Sequence, residues 1–540
     1  MLGSPLSDEL ESELSKTHNS LIRDKFYSLF RTKIAEALRN MRQELESNSR
    51  KEIRDLIGLS DFQIMLGFQQ KFTLKTVYSL NFKKAVAYSH LTKKDIFFPA
   101  LKNIRRTLVQ SVGLKFNSFG SAITHLFLVI LFFLNSSRKL MLILFGPINS
   151  QKLAGVDKTA KKIYLYNFPI ESFPSANFST HNFAEWLNKK FSTRLTIFHN
   201  NESFNWQNSP NASIDFQFSQ TVLCEVPFLY RLSALLKLGL WLCSNIHNLS
   251  LFKATLAQVD EIYISILLAN KRKFFSADMV IFPNSVSVQR PLWSFVLEER
   301  CCQIVFAHYS ASAEPSKSFS IDLCDGIWHL SAWSMSWVVD EKQVEFAMRM
   351  SPNYSRKFEI VGVPHWSGRK LNELPRRDCF TVSVFDTYIR ANQLFSAGTI
   401  DDLGWNNFDL EWIFISEILE VATSYKMTVI HKRKRPVNDV NSSIRQLNSL
   451  SLLSRFGKSY FEIDETFSAE SLVDLSQLVV VKPLSTVAFI AKEKAKPVIF
   501  FDPTGNLEKG DPMLRGIPLA SNKKELYELI SNIYEEYKIS

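Results

Sequence analysis

Glycine and proline are scarce in this chain of 540 residues, at 17 and 19, which excludes collagen-like and low-complexity architectures. Cysteine is scarcer still. The six, at positions 224, 243, 301, 302, 324 and 379, show no paired metal-ligand spacing, and only Cys301 and Cys302 are adjacent. Neither a zinc site nor a disulfide scaffold is expected, and a reducing cytoplasm suits such a chain. The start, Met1 to Leu14, is acidic and polar, so no secretory signal peptide is expected there. Gly-x-Gly-x-x-Gly and P-loop motifs are missing, which removes the main support for a dinucleotide oxidoreductase or an ATPase. The lack of Asp-x-Asp weakens a metal-dependent transferase built on one Rossmann domain, and the lack of Gly-x-Ser-x-Gly argues against an α/β-hydrolase. Apolar residues are plentiful: 46% are hydrophobic and 22% charged, enough to bury cores. The length predicts two or three compact units.

The net charge of +11 is concentrated. Fourteen basic residues and two acidic ones, Asp95 and Asp157, lie between Lys83 and Lys162, so this window holds the whole excess. Inside it lie the most apolar run, Ala122 to Leu134 (AITHLFLVILFFL), then Asn-Ser-Ser-Arg-Lys, then Leu140 to Phe145. Thirteen helical residues rise about 20 Å, short of the ~30 Å hydrocarbon thickness. A spanning helix would have to continue through Arg138 and Lys139, which is costly unless they snorkel. An in-plane or re-entrant segment with its cations on anionic headgroups fits better; the alternative is a buried helix-turn-strand element with a solvated basic flank. Nucleic acid is not an expected partner, because few aromatics are interleaved with these charges.

The chain divides by pattern. Residues 1–110 read as a helical accessory domain, with Phe26, Leu29, Ile34, Leu38 and Met41 at roughly helical spacing. Residues 111–150 are the basic apolar segment, associated with a membrane. From Lys161 short apolar runs alternate with helix-like stretches: Ile163–Tyr166, Leu195–Phe198, Met279–Phe282 and Ile304–Phe306. After a turn-rich linker, Ser367 to Asp378, the alternation restarts with Thr381–Phe385, Met427–Ile430, Leu478–Val481 and Val498–Phe501. Such alternation marks parallel sheets covered on both faces. The expected fold class is therefore α/β, two Rossmann-like lobes at 160–370 and 378–525, with a C-terminal helix at 526–540.

In such sheets ligands sit beyond the carboxyl ends of strands. Two ends in the second lobe draw attention. One runs into His431-Lys432-Arg433-Lys434-Arg435-Pro436, the other into Lys482-Pro483-Leu484-Ser485-Thr486 at a helix start. Hydroxyls and unsatisfied N–H groups at a helix start attract anions, and Lys432, Lys434 and Lys482 would complete a phosphate pocket. Taken singly, the hydroxyls read as ordinary N-caps and the basic run as a solvated loop. Two candidates for a general base follow strands: His308 after QIVFA, and Asp386 after TVSVF. Glu462, Asp464 and Glu465, in FEIDET, are carboxylates placed to hold sugar or ribose hydroxyls, or simply an acidic loop. Asp502, after VIFF, is expected at the rim of the second lobe.

The block VVVKPLSTVAFIAKEKAKPVIFFDP, residues 479–503, resembles the nucleotide-binding segment of GT-B-type transferases of bacterial surface polysaccharides. It is most similar to the polysaccharide biosynthesis proteins named for a Pro-Phe-Thr-Ser motif, and similar blocks occur in sialyl-, polysialyl-, Kdo- and CDP-glycerol-type transferases. The tetrad here is Pro-Leu-Ser-Thr, and the basic run lacks a His-Pro dipeptide. The resemblance implies a glycosyltransferase that uses a nucleotide-sugar as donor substrate. It also implies no metal or other cofactor, with Ser485 and Thr486 on the donor phosphates and the base on the first lobe. The implied partners are a glycan or lipid-linked acceptor and the anionic inner face of the cell membrane. Glycerol- or ribitol-phosphate transfer, nucleotide-sugar epimerisation and an inactive scaffold remain the alternatives.

Overall fold

The structure, a computed structural model, describes residues 26–54, 56–76, 80–96, 98–99, 101–145, 160–168, 183–191, 193–199, 214–218, 226–270, 277–283, 289–308, 317–318, 321–322, 326–350, 355–363, 379–386, 408–433, 451–463, 467–483, 485–505 and 507–539, with a few isolated positions before residue 26. From Phe26 on, the described residues form α1 (Phe26–Asn48), α2 (Asp61–Lys75), α3 (Leu80–Thr92), α4 (Lys102–Val112) and α5 (Ser118–Phe145) before the first sheet. Ser60 and Gln63 close a reciprocal capping box at the start of α2, with N···O distances of 3.2 and 2.8 Å. Phe30, Ile34, Leu38, Phe82, Val86, Ile104 and Leu108 from α1, α3 and α4 share one apolar core. Phe68 and Phe72 of α2 instead join the core under the first sheet.

The apolar segment is one uninterrupted helix of 28 residues, about 42 Å long at 1.5 Å per residue. The helix-turn-strand alternative does not occur. Its polar residues are used sideways: the Ser136 hydroxyl bonds the Asp260 carboxylate, and Lys139 Nζ lies 3.7 Å from the same group.

The first lobe runs β1 (Lys161–Leu165), α6 (Phe183–Phe191), β2 (Leu195–His199), β3 (Ile214–Phe218), α7 (Phe228–Ser244), α8 (Leu249–Leu256), α9 (Val259–Asn270), β4 (Met279–Pro283), α10 (Leu292–Glu298) and β5 (Gln303–Ala307). It continues through a short antiparallel pair, β6 (Lys317–Ser318) and β7 (Ile321–Asp322), then β8 (Trp333–Val338), α11 (Glu341–Met350) and β9 (Ser355–Ile360). Its sheet is parallel, in the order β3-β2-β1-β4-β5-β8-β9.

The second lobe runs β10 (Thr381–Phe385), α12 (Phe408–Ser424), β11 (Thr428–Lys432), β12 (Tyr460–Ile463), α13 (Ala469–Leu475), β13 (Leu478–Val481), α14 (Thr486–Glu493), β14 (Val498–Phe501), β15 (Leu519–Ala520) and α15 (Lys523–Ile539). Its sheet is also parallel, in the order β12-β11-β10-β13-β14-β15. In each lobe the first strand has the next two laid outward on one side, and the chain then returns to its other side. That is the doubly wound Rossmann order, with switch points between β1 and β4 and between β10 and β13. The fold class read from the sequence holds.

All eight apolar runs become strands because a central parallel strand is covered on both faces and needs uninterrupted apolar residues. The lobes touch beyond their strand ends. Val339 and Val363, which follow β8 and β9, share an apolar cluster with Leu507, Leu514 and Ile517 from the β14–β15 connection. Beside them both carboxylate oxygens of Asp340 take the Arg515 guanidinium. Burial alone would raise the Asp340 carboxyl, but the Arg515 contacts and the Gln343 amide hold it below its usual range. The carboxyl edge of the first sheet therefore meets the β14–β15 connection of the second lobe along this seam.

Candidate functional site at the second switch point

Register places the site. Phe385 of β10 pairs with Lys432 of β11 on one side and Val481 of β13 on the other. The next residues, Asp386, Arg433 and Lys482, thus extend three adjacent strands at one edge. Side chains alternate faces along a strand. Val384, Val429 and Val480 lie in the cluster that contains Phe414 of α12, so Asp386, His431 and Lys482, two residues on from each, look toward α12.

That face holds a buried polar group. Asp386, His431 and Lys482 are each no more than 4% exposed. His431 Nδ1 meets the Tyr460 hydroxyl at 2.9 Å, while its Nε2 stands 3.5 Å from Asp386 Oδ2. The second separation is too long for a strong hydrogen bond, and Nε2 has no hydrogen-bond partner among the described residues. Burial, with Glu462, Asp386 and Glu411 around it, pushes the Tyr460 hydroxyl far up, so it remains a neutral phenol. Lys482 Nζ lies 5.3 Å from the centre of the Phe414 ring, and Glu411, buried on the first turn of α12, brings a further carboxylate to this face.

On the opposite face α14 begins at Ser485. This residue is extended (φ −73°, ψ 129°) and makes no side-chain capping bond. The ordinary side-chain N-cap is therefore missing at Ser485, while the Ala488 amide donates to the Ser485 carbonyl. Thr486 is the first helical residue. Lys482, the turn at Ser485 and Asp386 all lie at the carboxyl ends of β10 and β13, the edge at which a doubly wound sheet accepts a ligand.

Other candidates are placed differently. Lys432 ends β11 as a buried strand residue, and its Nζ donates to the Arg433 carbonyl. Arg433 pairs with Glu462, Nε to Oε1 2.5 Å. The strand runs two residues further than its apolar letters suggest, which draws His431 and Lys432 out of the expected basic loop and into the sheet. Lys432 is therefore no open phosphate clamp, and Glu462 is engaged by an arginine. Lys434, Asp464 and Glu465 lie outside the described residues. Asp502 is fully buried and accepts from the Thr504 amide and hydroxyl and the Leu507 amide; it folds its own loop and does not form a rim.

His308 follows β5 of the first lobe, buried edge-on against Phe306, and its amide donates to the Trp337 carbonyl. Burial lowers its pKa to about 3. An imidazole that resists protonation so strongly is a weak proton acceptor at neutral pH, which counts against His308 as the base. Tyr460 and Glu411 had no visible signal in the sequence, since only the β11–β12 pairing and the α12 packing bring them here.

The sequence profile of a family described as polysaccharide biosynthesis PFTS motif proteins matches residues 238–530, more than half of the chain. The chain belongs to that family. The tetrad Pro483-Leu484-Ser485-Thr486 lies within the matched span. No curated protein matches the sequence.

Solved structures give loose likenesses. UDP-GlcNAc 2-epimerase from Methanocaldococcus jannaschii is 14% identical, over 69% of this chain and 92% of that one, with a TM-score of 0.35. A UDP-glucosyltransferase from Polygonum tinctorium is 10% identical over 70% and 90%, at 0.36. A variant of the wall teichoic acid polymerase TagF is 13% identical over 76% and 89%, also at 0.36. Likenesses of this size do not fix an activity.

Proposed function

We propose that this PFTS-motif protein is a glycosyltransferase that builds a bacterial surface polysaccharide from a nucleotide-activated sugar. The observation that carries the reading is the Ser485–Thr486 turn at a Rossmann switch point, where Ser485 makes no side-chain cap and Lys482 stands at the end of the strand that leads into it. A nucleotide's phosphates would lie against the first amides and hydroxyls of α14. The helix dipole and Lys482 would stabilise the negative charge that develops on the departing nucleotide without a metal ion. The acceptor hydroxyl attacks the anomeric carbon as the bond to the donor phosphate breaks. Its proton passes to Asp386, held next to His431 and, through it, Tyr460. The seam at Asp340–Arg515 supports a cleft in which donor and acceptor are aligned between the lobes.

The same reading places the protein at the inner face of the cell membrane, acting on a glycan or lipid-linked acceptor. The cation-flanked apolar helix α5 would supply the attachment.

A thermal-shift panel of CMP, CDP, UDP, GDP and dTDP tests the donor site. A nucleotide at a hundredfold its dissociation constant should add about 2.7 kcal/mol to the wild type. The Ser485→Ala/Thr486→Ala variant should keep the unliganded melting temperature and lose that gain. A double variant with undiminished nucleotide stabilisation would contradict the site.

A further inference from the structure

We propose that α5 and α7 together form one preassembled apolar face that lies in the plane of an anionic bilayer, with α7 contributing as much as α5. The inference rests on the membrane reading above and assigns it a second, unanticipated element.

Three observations carry it. The first is exposure. Along α5, Ile123, Phe127, Leu134 and Met141 are 49–56% exposed; along α7, Leu229, Leu236 and Leu240 are 64–76% exposed. Soluble surfaces rarely leave such stripes uncovered.

The second is rigidity. The inner face of α5 is packed from Ser121 to Leu144. Arg231 of α7 donates to the carbonyls of Ile143 and Leu144 at the α5 terminus. Asp260 of α9 holds α5, while Tyr263, one turn further along the same side of α9, donates its hydroxyl to the Arg231 carbonyl on α7. The two helices thus lie on one side of α9. A spanning α5 would have to abandon the Ser136, Lys139 and Arg231 contacts, so the fold selects the in-plane arrangement.

The third is charge of one sign. Neither helix contains an aspartate or glutamate. Lys115 precedes α5, Arg138 lies within its outward stripe and Lys139 on its flank, all exposed. Long cationic side chains can keep their heads among phosphates while their stems cover acyl chains. A second copy fits worse, because a two-fold contact would set this cationic face against itself.

Flotation of the full-length protein with phosphatidylcholine vesicles, with and without 30% phosphatidylglycerol, tests the proposal. The wild type should float with the anionic vesicles at least tenfold more than with the neutral ones. Leu229→Glu/Leu236→Glu/Leu240→Glu on α7 should lower that partition at least tenfold, as should Ile123→Glu/Phe127→Glu/Leu134→Glu on α5. If only the α5 variant detaches, the membrane reading stands and the paired face is wrong. If the α7 variant instead turns a wild-type dimer into a monomer without changing flotation, the face is a contact between copies and the proposal is overturned. A second measurement does not depend on those variants folding. Cys243, exposed at the end of α7, can carry an environment-sensitive label with the other reactive cysteines changed to serine. Its emission should shift to the blue and be quenched by brominated lipid; an unchanged spectrum contradicts the proposal.

Discussion

Lys482 sits 3% exposed beneath α12, its ammonium against the Phe414 ring and on the face shared with Asp386 and Glu411. A buried ammonium is tolerated only with compensation, and this one stands at the edge where an anionic ligand would add more. Lys482→Met should therefore leave a folded protein whose nucleotide affinity is at least tenfold lower by calorimetry; unchanged affinity would remove Lys482 from the site. His308 makes a different prediction. Because burial puts its folded pKa near 3 against 6.5 for the free side chain, both states are neutral above pH 6.5. Between 6.5 and 3 the unfolded chain takes up a proton that the folded one refuses, so stability falls as pH drops through that window. In pH-dependent melting, His308→Gln should give a shallower acid limb than the wild type. Two residues after strands, Asp386 and Lys482, were legible because a strand end announces its edge position. The Asp386–His431–Tyr460 row was not: residues 29 apart are brought together only by strand register, and His431 looked like the first letter of a basic loop.

At the scale of elements, strands covered on both faces declare themselves as runs of Val, Ile and Phe, whereas β8 (WSMSWV) and β12 (YFEI) carry polar residues and look like loops or helix faces. The same logic explains α5. Its Asn-Ser-Ser-Arg-Lys insertion suggests a break when read as polarity alone, yet Ser136 and Lys139 are turned toward Asp260 and the helix continues. Close contact also fuses α2 to the first lobe. A Cβ on Gly67 would come within 2.7 Å of Gln258 Oε1 and 2.8 Å of a Leu292 methyl, and Gln258 is tied to the Ile64 carbonyl. Gly67→Ala should lower stability by about 1–3 kcal/mol through overpacking, despite alanine's better helix propensity. Chemical denaturation checks the sign; a stabilised variant would mean that α2 stands off from the lobe.

For the whole molecule, the carboxyl edge of the first lobe meets the β14–β15 connection of a second lobe of like topology, and the seam includes a two-pronged ion pair, Arg515 to Asp340. Arg515 also lies 4.3 Å from the Phe489 ring, so the seam reaches the helix that opens at the proposed phosphate turn. Arg515→Ala should cost about 1–2 kcal/mol, since Asp340 is partly solvated, and should weaken acceptor turnover more than donor affinity. Denaturant titration and steady-state kinetics on that variant check both halves. The doubly wound architecture was legible from the alternation of strands and helices, while the seam was not, because Asp340 and Arg515 are 175 residues apart.

Hydrogen exchange of the full-length protein with and without saturating nucleotide tests the central claim most directly. The account expects the strongest new protection in the amides of residues 485–489 at the start of α14, with a smaller change beside Asp386. Protection confined to the first lobe, with α14 exchanging at its unliganded rate, would contradict it.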